Sequence, residues 1–391
     1  MEKMRVAVGI PTHQESDSIE NVARQVDEGL ARLFDPADCV IVNVDSDSAD
    51  GTSAIFLNTS TICRKESFVI AEQPRGKGRN VLRFFERCAE LQVAALAIVD
   101  GDLTSITPDW IEALLTPVLQ GEADYVTPLY LRHRFDGSLT NHFAYPVMRG
   151  YFDAGLRQPV GGEFAFSPAL VNYILRQPTE EAIFGYGIDI FLSMHASGGG
   201  FKIAQTSLGR KLHKPSFSKR RLIQSQAIAS AVASARRYPT YPMRAADRDF
   251  DGASDPPDSI DDLPEYLFYD EAQVLLAEAR AQARELKPVY RSWMRGELAE
   301  TFTCFEDGGT TLSAEAWTDL LSAGIARAVW IEPRTPARDI ADYLLPLLIV
   351  RTVTCWNETW RRPIEEFNAE VNLQARLFSK KLLGHALNFV R

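Results

Sequence analysis

Asp100-Gly101-Asp102 follows directly on the apolar run Ala94–Val99. Two carboxylates flanking a glycine at the carboxyl end of a strand can both point into the crevice beyond it. Hard divalent cations take such oxygens together with those of a phosphate, and a cation held there would neutralise a leaving diphosphate. The competing reading is an Asx turn that caps the strand. A second cluster, Gln73-Pro74-Arg75-Gly76-Lys77-Gly78-Arg79-Asn80, stands between a strand pattern and a helix pattern. Glycines let the backbone approach a ligand, and a helix start flanked by lysine and arginine favours phosphate. Three cations so close to a helix N-terminus oppose one another and the helix dipole, which argues for an anionic ligand over a plain solvated loop.

Other stretches have the same character. Pro11–Glu15 and Asp45-Ser46-Asp47-Ser48 each follow a strand pattern. Their carboxylates could accept from a base N–H or from ribose hydroxyls, although the same residue types also build ordinary turns. Gln158–Phe164 and Phe184–Asp189 set isolated carboxylates, Glu163 and Asp189, among glycines. That fits a backbone passing close to a ligand, or a tight turn with a helix-capping Asp. In Leu208–Lys214, His213 could complete a metal site through a ring nitrogen. Arg210, Lys211 and Lys214 around it would hold diphosphate oxygens.

These groups need a scaffold at the ends of strands. Apolar runs at Met4–Ile10, Cys39–Val44, Ser67–Ala71 and Ala94–Val99 read as strands. Helical spacing at Glu20–Leu33, Arg79–Leu91 and Pro108–Leu119 fills the gaps between them. The rhythm predicts an α/β fold with a largely parallel sheet and helices on both faces, in which ligands bind beyond the carboxyl ends of the strands. After Ser216 the strand signals fade. Helix patterns follow at Leu222–Arg237, Asp270–Leu286, near Ala314, at Asp339–Thr359 and at Glu365–Leu383. The expected division is a domain over 1–240, an acidic linker over 241–262 and a helical C-terminal region over 263–391.

The chain has 391 residues, 42 Lys and Arg against 52 Asp and Glu, and a net charge of -10. This acidity argues against general nucleic-acid binding, but it is uneven. No acidic residue lies between Asp189 and Asp247, where Lys202, Arg210, Lys211, Lys214, Lys219, Arg220 and Arg221 fall. That distribution suits a small anionic ligand gripped locally. Five widely spaced cysteines (Cys39, Cys63, Cys88, Cys304, Cys355) read as free thiols of a reducing compartment. The longest apolar run, Tyr343–Val350, is too short to span a bilayer. A cytoplasmic protein without a membrane span is expected, self-associating as a dimer through its helical region.

The ordered set PRGKGRN, DGDLTSITPDW, QPVGGEF, GYGID and LGRKLHKP resembles that of the GT-A nucleotide-sugar glycosyltransferases, over roughly residues 4–220. More narrowly it is similar to the mannosylglycerate synthase and glucosyl-3-phosphoglycerate synthase families, and the helical tail looks more like the former. The resemblance implies a Rossmann-like GT-A domain and a retaining, metal-dependent hexosyl transfer to a small hydroxy acid such as glycerate. It implies Asp102 and His213 as ligands of Mg2+ or Mn2+, and Asp100 against the donor ribose or sugar. Pro11, Glu15 and Asp45 would take the base and ribose, Lys77 the nucleotide phosphates, and Gly162 and Glu163 the transferred sugar. Asp189 would lie at the reacting centre, and Arg132 and Thr140 at the acceptor. The donor base, among GDP-, UDP- and ADP-hexoses, stays open. Ser138 stands where phosphoglycerate-using relatives have an arginine, so both glycerate and phosphoglycerate remain in play. Transfer to a lipid or glycan is the alternative within the fold. A sugar nucleotidyltransferase would need a Gly-rich basic loop after the first strand, where this chain has Pro11-Thr12-His13-Gln14-Glu15. The intact DxD, Lys77, Asp189 and His213 argue against a non-catalytic binding protein.

Overall fold

The β-branched run after Arg5 forms β1 (Val6–Thr12), and almost every side chain in it is buried. The computed structural model describes residues 5–214, 219–242, 269–293 and 311–390. The chain divides into two compact units, one of 1–131 and 160–216, the other of 132–159 and 217–391.

The first unit is a seven-stranded sheet. After β1 come α1 (Ile19–Leu33), β2 (Cys39–Asp45), α2 (Thr52–Asn58), β3 (Arg64–Val69), α3 (Lys77–Leu91), β4 (Ala95–Ile98), α4 (Pro108–Leu119) and β5 (Tyr125–Leu131). The strands β6 (Phe164–Phe166) and β7 (Ile203–Arg210) complete it, in the order β3-β2-β1-β4-β6-β5-β7. Parallel pairing joins β3, β2, β1 and β4, and also β5 with β7. The exception is β6, which runs antiparallel to both β4 and β5. Its N-terminal approach, Gly161-Gly162-Glu163, therefore lies at the carboxyl edge of its neighbours, with Phe164 opposite Ile98 just before Asp100. Two apolar cores cover the sheet faces, one built on α1 and α4, the other on α3 and α8 (Ile188–Gly198). This is the GT-A arrangement that the motifs imply.

The second unit is helical. Arg132–Pro159 carries a π-helical turn, Thr140–Ala144, that runs into α5 (Tyr145–Phe152). Here α6 (Pro168–Ile174) and α7 (Glu181–Phe184) belong to the first unit. The second unit continues with α9 (Arg220–Ala235), α10 (Tyr269–Glu285), α11 (Lys287–Trp293), α12 (Ala314–Ala326), α13 (Ala337–Thr359) and α14 (Ile364–Val390). Ser313 caps α12 by accepting from the Ala316 N–H. The helix α13 packs on α9 and α10, and α14 packs on α5 and α12. Gly150 admits this approach, since a Cβ there would sit 2.4 Å from the Phe378 ring. Arg351 on α13 is fully buried, paired with Glu370 and donating to the Leu312 carbonyl at 3.0 Å.

The expected parts 1–240, 241–262 and 263–391 are drawn along the sequence, whereas the compact units are not continuous in it. The acidic linker falls mostly outside the described residues, as does Cys304. The units part at Ser216, and Arg132–Pro159 joins the helices because its apolar residues find their partners on α9, α12 and α14. No described helix is long and apolar enough to cross a membrane.

Candidate active site

The basic loop before α3 leaves Arg75 exposed but turns Lys77 inward. Arg75 pairs with Asp47 at 2.8 Å, and the Arg79 guanidinium lies over the Phe184 ring. Lys77, between them, reaches inward and bridges Asp100 Oδ1 at 2.7 Å and Asp189 Oδ1 at 3.2 Å. The flanking glycines serve this placement. A Cβ on Gly78 would lie 1.8 Å from the Ile183 carbonyl oxygen, and Gly76 has φ +148° against the Phe184 carbonyl. The backbone here approaches the segment before α8, where Asp189 sits, rather than a ligand.

Asp100 is held from both sides. Its Oδ2 accepts from Lys211 Nζ at 3.1 Å. Lys211 also donates to both oxygens of Glu163, at 2.9 and 2.8 Å, and to the Gly161 carbonyl at 2.7 Å. The result is an alternating row of charges: Asp189, Lys77, Asp100, Lys211, Glu163. Gly162 fits beside it only as glycine, with φ +96° and a Cβ position 2.2 Å from Asp100 Oδ2. Burial alone would raise the Asp100 carboxyl, but the two lysines outweigh it and hold it far below the usual range. Burial raises Asp189, and it pushes Glu163 up to about 7 against the pull of Lys211. Glu163 is 0% exposed and also accepts from the Tyr130 hydroxyl. Asp189 Oδ1 is buried and faces the Lys77 ammonium, whose charge pulls the carboxyl back down.

Asp102 points elsewhere. Leu103 and His213 are bridged through the backbone, and His213 Nδ1 lies 3.9 Å from Asp102 Oδ2. Burial, and then the charge of Asp100, raise the Asp102 carboxyl against the pull of Lys211 and His213. His213 Nδ1 is 2.7 Å from the Lys214 carbonyl, which assigns it the proton and leaves the ring lone pair on Nε2. A carboxylate beside an oriented imidazole fits a divalent cation. Among the described residues no group of three or more His, Cys, Asp or Glu is gathered for a metal. Two protein ligands accord with an ion that keeps waters and phosphate oxygens, as Mg2+ does.

The loops after β1 and β2 close the crevice. Gly101 packs on Thr12, Pro11 and Glu15, and the Ser18 hydroxyl donates to the Gly101 carbonyl at 2.8 Å. Pro11 lies within β1, opposite Val44. Asp45 is 1% exposed; its Oδ1 accepts from Thr12 and Ser48 hydroxyls, and its Oδ2 from the Ser48 N–H. Glu15 is pushed up to about 7 by burial, against Lys214 Nζ at 2.7 Å.

Two sequence assignments change here. Lys211 and Lys214 were expected to face a diphosphate. Lys211 instead turns inward to Asp100 and Glu163, and Lys214 binds Glu15 and Asp17. Tyr130, whose hydroxyl donates to Glu163 at one end of the charged row, is the residue that the motifs did not single out.

Arg132 and Thr140, expected at the acceptor, come together in the second unit. They line one recess with His133, Arg134, Asp136 and Arg157. Arg134 donates to the Thr359 and Arg362 carbonyls, and Arg157 lies over the Tyr145 ring. Burial, with Arg132 nearby, lowers Arg157 to about 10.

The sheet order and the acidic, lysine-bridged carboxyl edge define a class, the glycosyltransferase enzymes built on a GT-A domain. The family model described as Glycosyl transferase family 2 matches residues 7–167, so this stretch is a domain of that kind. No curated protein matches the sequence. Among solved structures the chain is similar to glucosyl-3-phosphoglycerate synthase of Mycobacterium tuberculosis. The form in complex with Mg2+ and uridine diphosphate aligns at 22% identity over 59% of this chain and 79% of that one, TM-score 0.47. The form with Mn2+, uridine diphosphate and glucosyl-3-phosphoglycerate aligns at 22% over 59% and 80%, TM-score 0.46. A further structure of that enzyme gives 24% over 59% and 80%, TM-score 0.47.

Proposed function

We propose that the protein moves a hexosyl group, with retention, from a nucleotide-diphosphate sugar to a small hydroxy acid, glycerate being the first candidate. The observation that carries this reading is the pairing of Asp102 with His213 beside the row that runs from Asp189 to Glu163. It offers a cation site and a sugar site side by side at the carboxyl edge of one sheet. Pro11 and Glu15 take the base and ribose, with the buried Asp45 behind them holding Thr12 and Ser48 in place. Asp102 and His213 hold Mg2+ or Mn2+, which when bound offsets the charge of the departing diphosphate.

Lys77 fixes Asp100 and Asp189 around the sugar and adds positive charge at the phosphate end. Asp189, ion-paired to Lys77, lies at the reacting centre. Gly162 lets the sugar lie close to the backbone, while Glu163 acts on it through Lys211 and Tyr130. The acceptor hydroxyl forms the new bond to the anomeric carbon on the face the diphosphate leaves, and its proton passes to a diphosphate oxygen. Arg132 and Thr140 hold the acceptor carboxylate and hydroxyls.

A second reading, with phosphoglycerate as acceptor, is favoured by one observation. Arg132 and Arg157 share the recess with a single carboxylate, Asp136, and two guanidiniums suit a ligand with two anionic groups. Incubation with Mg2+, a panel of UDP-, GDP- and ADP-hexoses, and glycerate or 3-phosphoglycerate should release nucleoside diphosphate with one pair. No release with any pair would remove the proposal, and the productive acceptor decides between the two readings.

A further inference from the structure

We infer that Lys211 is the positioning residue for the transferred sugar, setting Asp100, Glu163 and the Gly161-Gly162 turn as one rigid wall. This rests on the proposed function. The lysine comes from the end of β7, far along the chain from everything it binds. Its ammonium donates to Asp100 Oδ2, to both Glu163 oxygens and to the Gly161 carbonyl, all within 3.1 Å. The same ammonium lies 5.5 Å from the centre of the Tyr130 ring, whose hydroxyl donates to Glu163.

Position 162 must be glycine beside this ammonium, since a Cβ there would stand 2.8 Å from Nζ. Without Lys211, Asp100 and Glu163 would face each other with no cation between them, and the turn at Gly161 would lose its tether. Asp100, implied at the ribose or the sugar, bonds to Lys211, whereas Pro11, Glu15, Asp45, Asp102 and His213, the other groups at base, ribose and metal, do not. Removing a positive charge from beside Asp102 does not disfavour a divalent cation there. The loss should therefore fall on the sugar and spare the nucleotide.

The test is calorimetric binding in Mg2+ of UDP and UDP-glucose, and of GDP and GDP-mannose, to the wild-type chain and to Lys211→Met. For whichever pair the wild type binds, the variant should bind the nucleotide-sugar at least about tenfold more weakly, with the bare diphosphate within about twofold. Because an unpaired buried carboxylate can prevent folding, the double variant Lys211→Met with Glu163→Gln, which removes both charges together, is measured alongside. It should show the same selective loss. Equal weakening of sugar-bearing and bare nucleotide in the double variant, or no weakening of either, would overturn the positioning role. Nucleotide binding by the wild type that ignores the sugar would overturn it while leaving the nucleotide site in place. A wild-type chain that binds none of the four would overturn the functional reading, and this inference with it.

Discussion

At the scale of single residues, the two carboxylates of the DxD have different work. Asp100 is occupied on both oxygens by lysines, whereas Asp102 lies 3.9 Å from His213 and its carboxyl is raised by burial. Asp102→Ala should therefore abolish metal-dependent donor binding measured by calorimetry, and unchanged donor affinity would defeat the ligand assignment. In the recess, Arg157→Gln should raise the acceptor KM by roughly 10- to 100-fold while leaving the donor KM close to wild type, the scale of a lost charge-assisted contact. A KM that stays put would mean that the guanidinium only braces Tyr145. Residue types made most of this site legible: Lys77, Asp100, Asp102, Asp189 and His213 stand out because charge at the end of an apolar run needs a reason. Lys211 was visible only as one cation among several. Its partners lie some hundred positions upstream at Asp100, and on a strand whose direction decides everything.

Elements were read with similar unevenness. The strands β1, β2 and β4 and the helices α1 and α4 follow from apolar runs and helical spacing, because the strands are buried on both faces and each helix on one. The strand β6 is three residues long, too short to display a period, and its antiparallel direction is set by neighbours rather than by its own sequence. The π-helical turn Thr140–Ala144 left no pattern either, since one extra residue in a turn changes no spacing rule that a helix would break. The glycines of the basic loop looked like a phosphate cradle but accommodate a neighbouring backbone. Gly78→Ala, whose Cβ would collide with the Ile183 carbonyl, should cost about 1–3 kcal/mol by urea unfolding. It should also lower donor affinity, because Lys77 moves with the loop. Full stability in that variant would show that the loop does not dock on α7.

At the scale of the whole molecule, each unit has its own condition for stability. In the helical unit, His142 is buried between Gln374 and the field of Arg351, and burial, then that charge, lower it to about 3. Its folded value lies below the ordinary one of about 6.5, so the neutral ring's contribution is present above that pH and is lost as pH falls toward about 3. Urea midpoints measured down that range should fall less steeply for His142→Gln than for the wild type; parallel curves would remove His142 from the acid response. Bound donor with Mg2+ should in turn raise the melting temperature by mass action, an effect that Asp102→Ala should cancel. The excursion Arg132–Pro159 also has a bearing on biosynthesis. It leaves the ribosome long before α12 and α14, which cover Tyr145, Gly150 and the His142 carbonyl. A nascent chain that has finished its sheet at β7 still carries this apolar stretch uncovered, and contacts so distant in sequence form slowly. A ribosome stalled, or a protease cutting, shortly after Ser216 would release a sheet already complete in its strands with an adhesive flap, so aggregation rather than a working half-enzyme is the expected fate of that fragment.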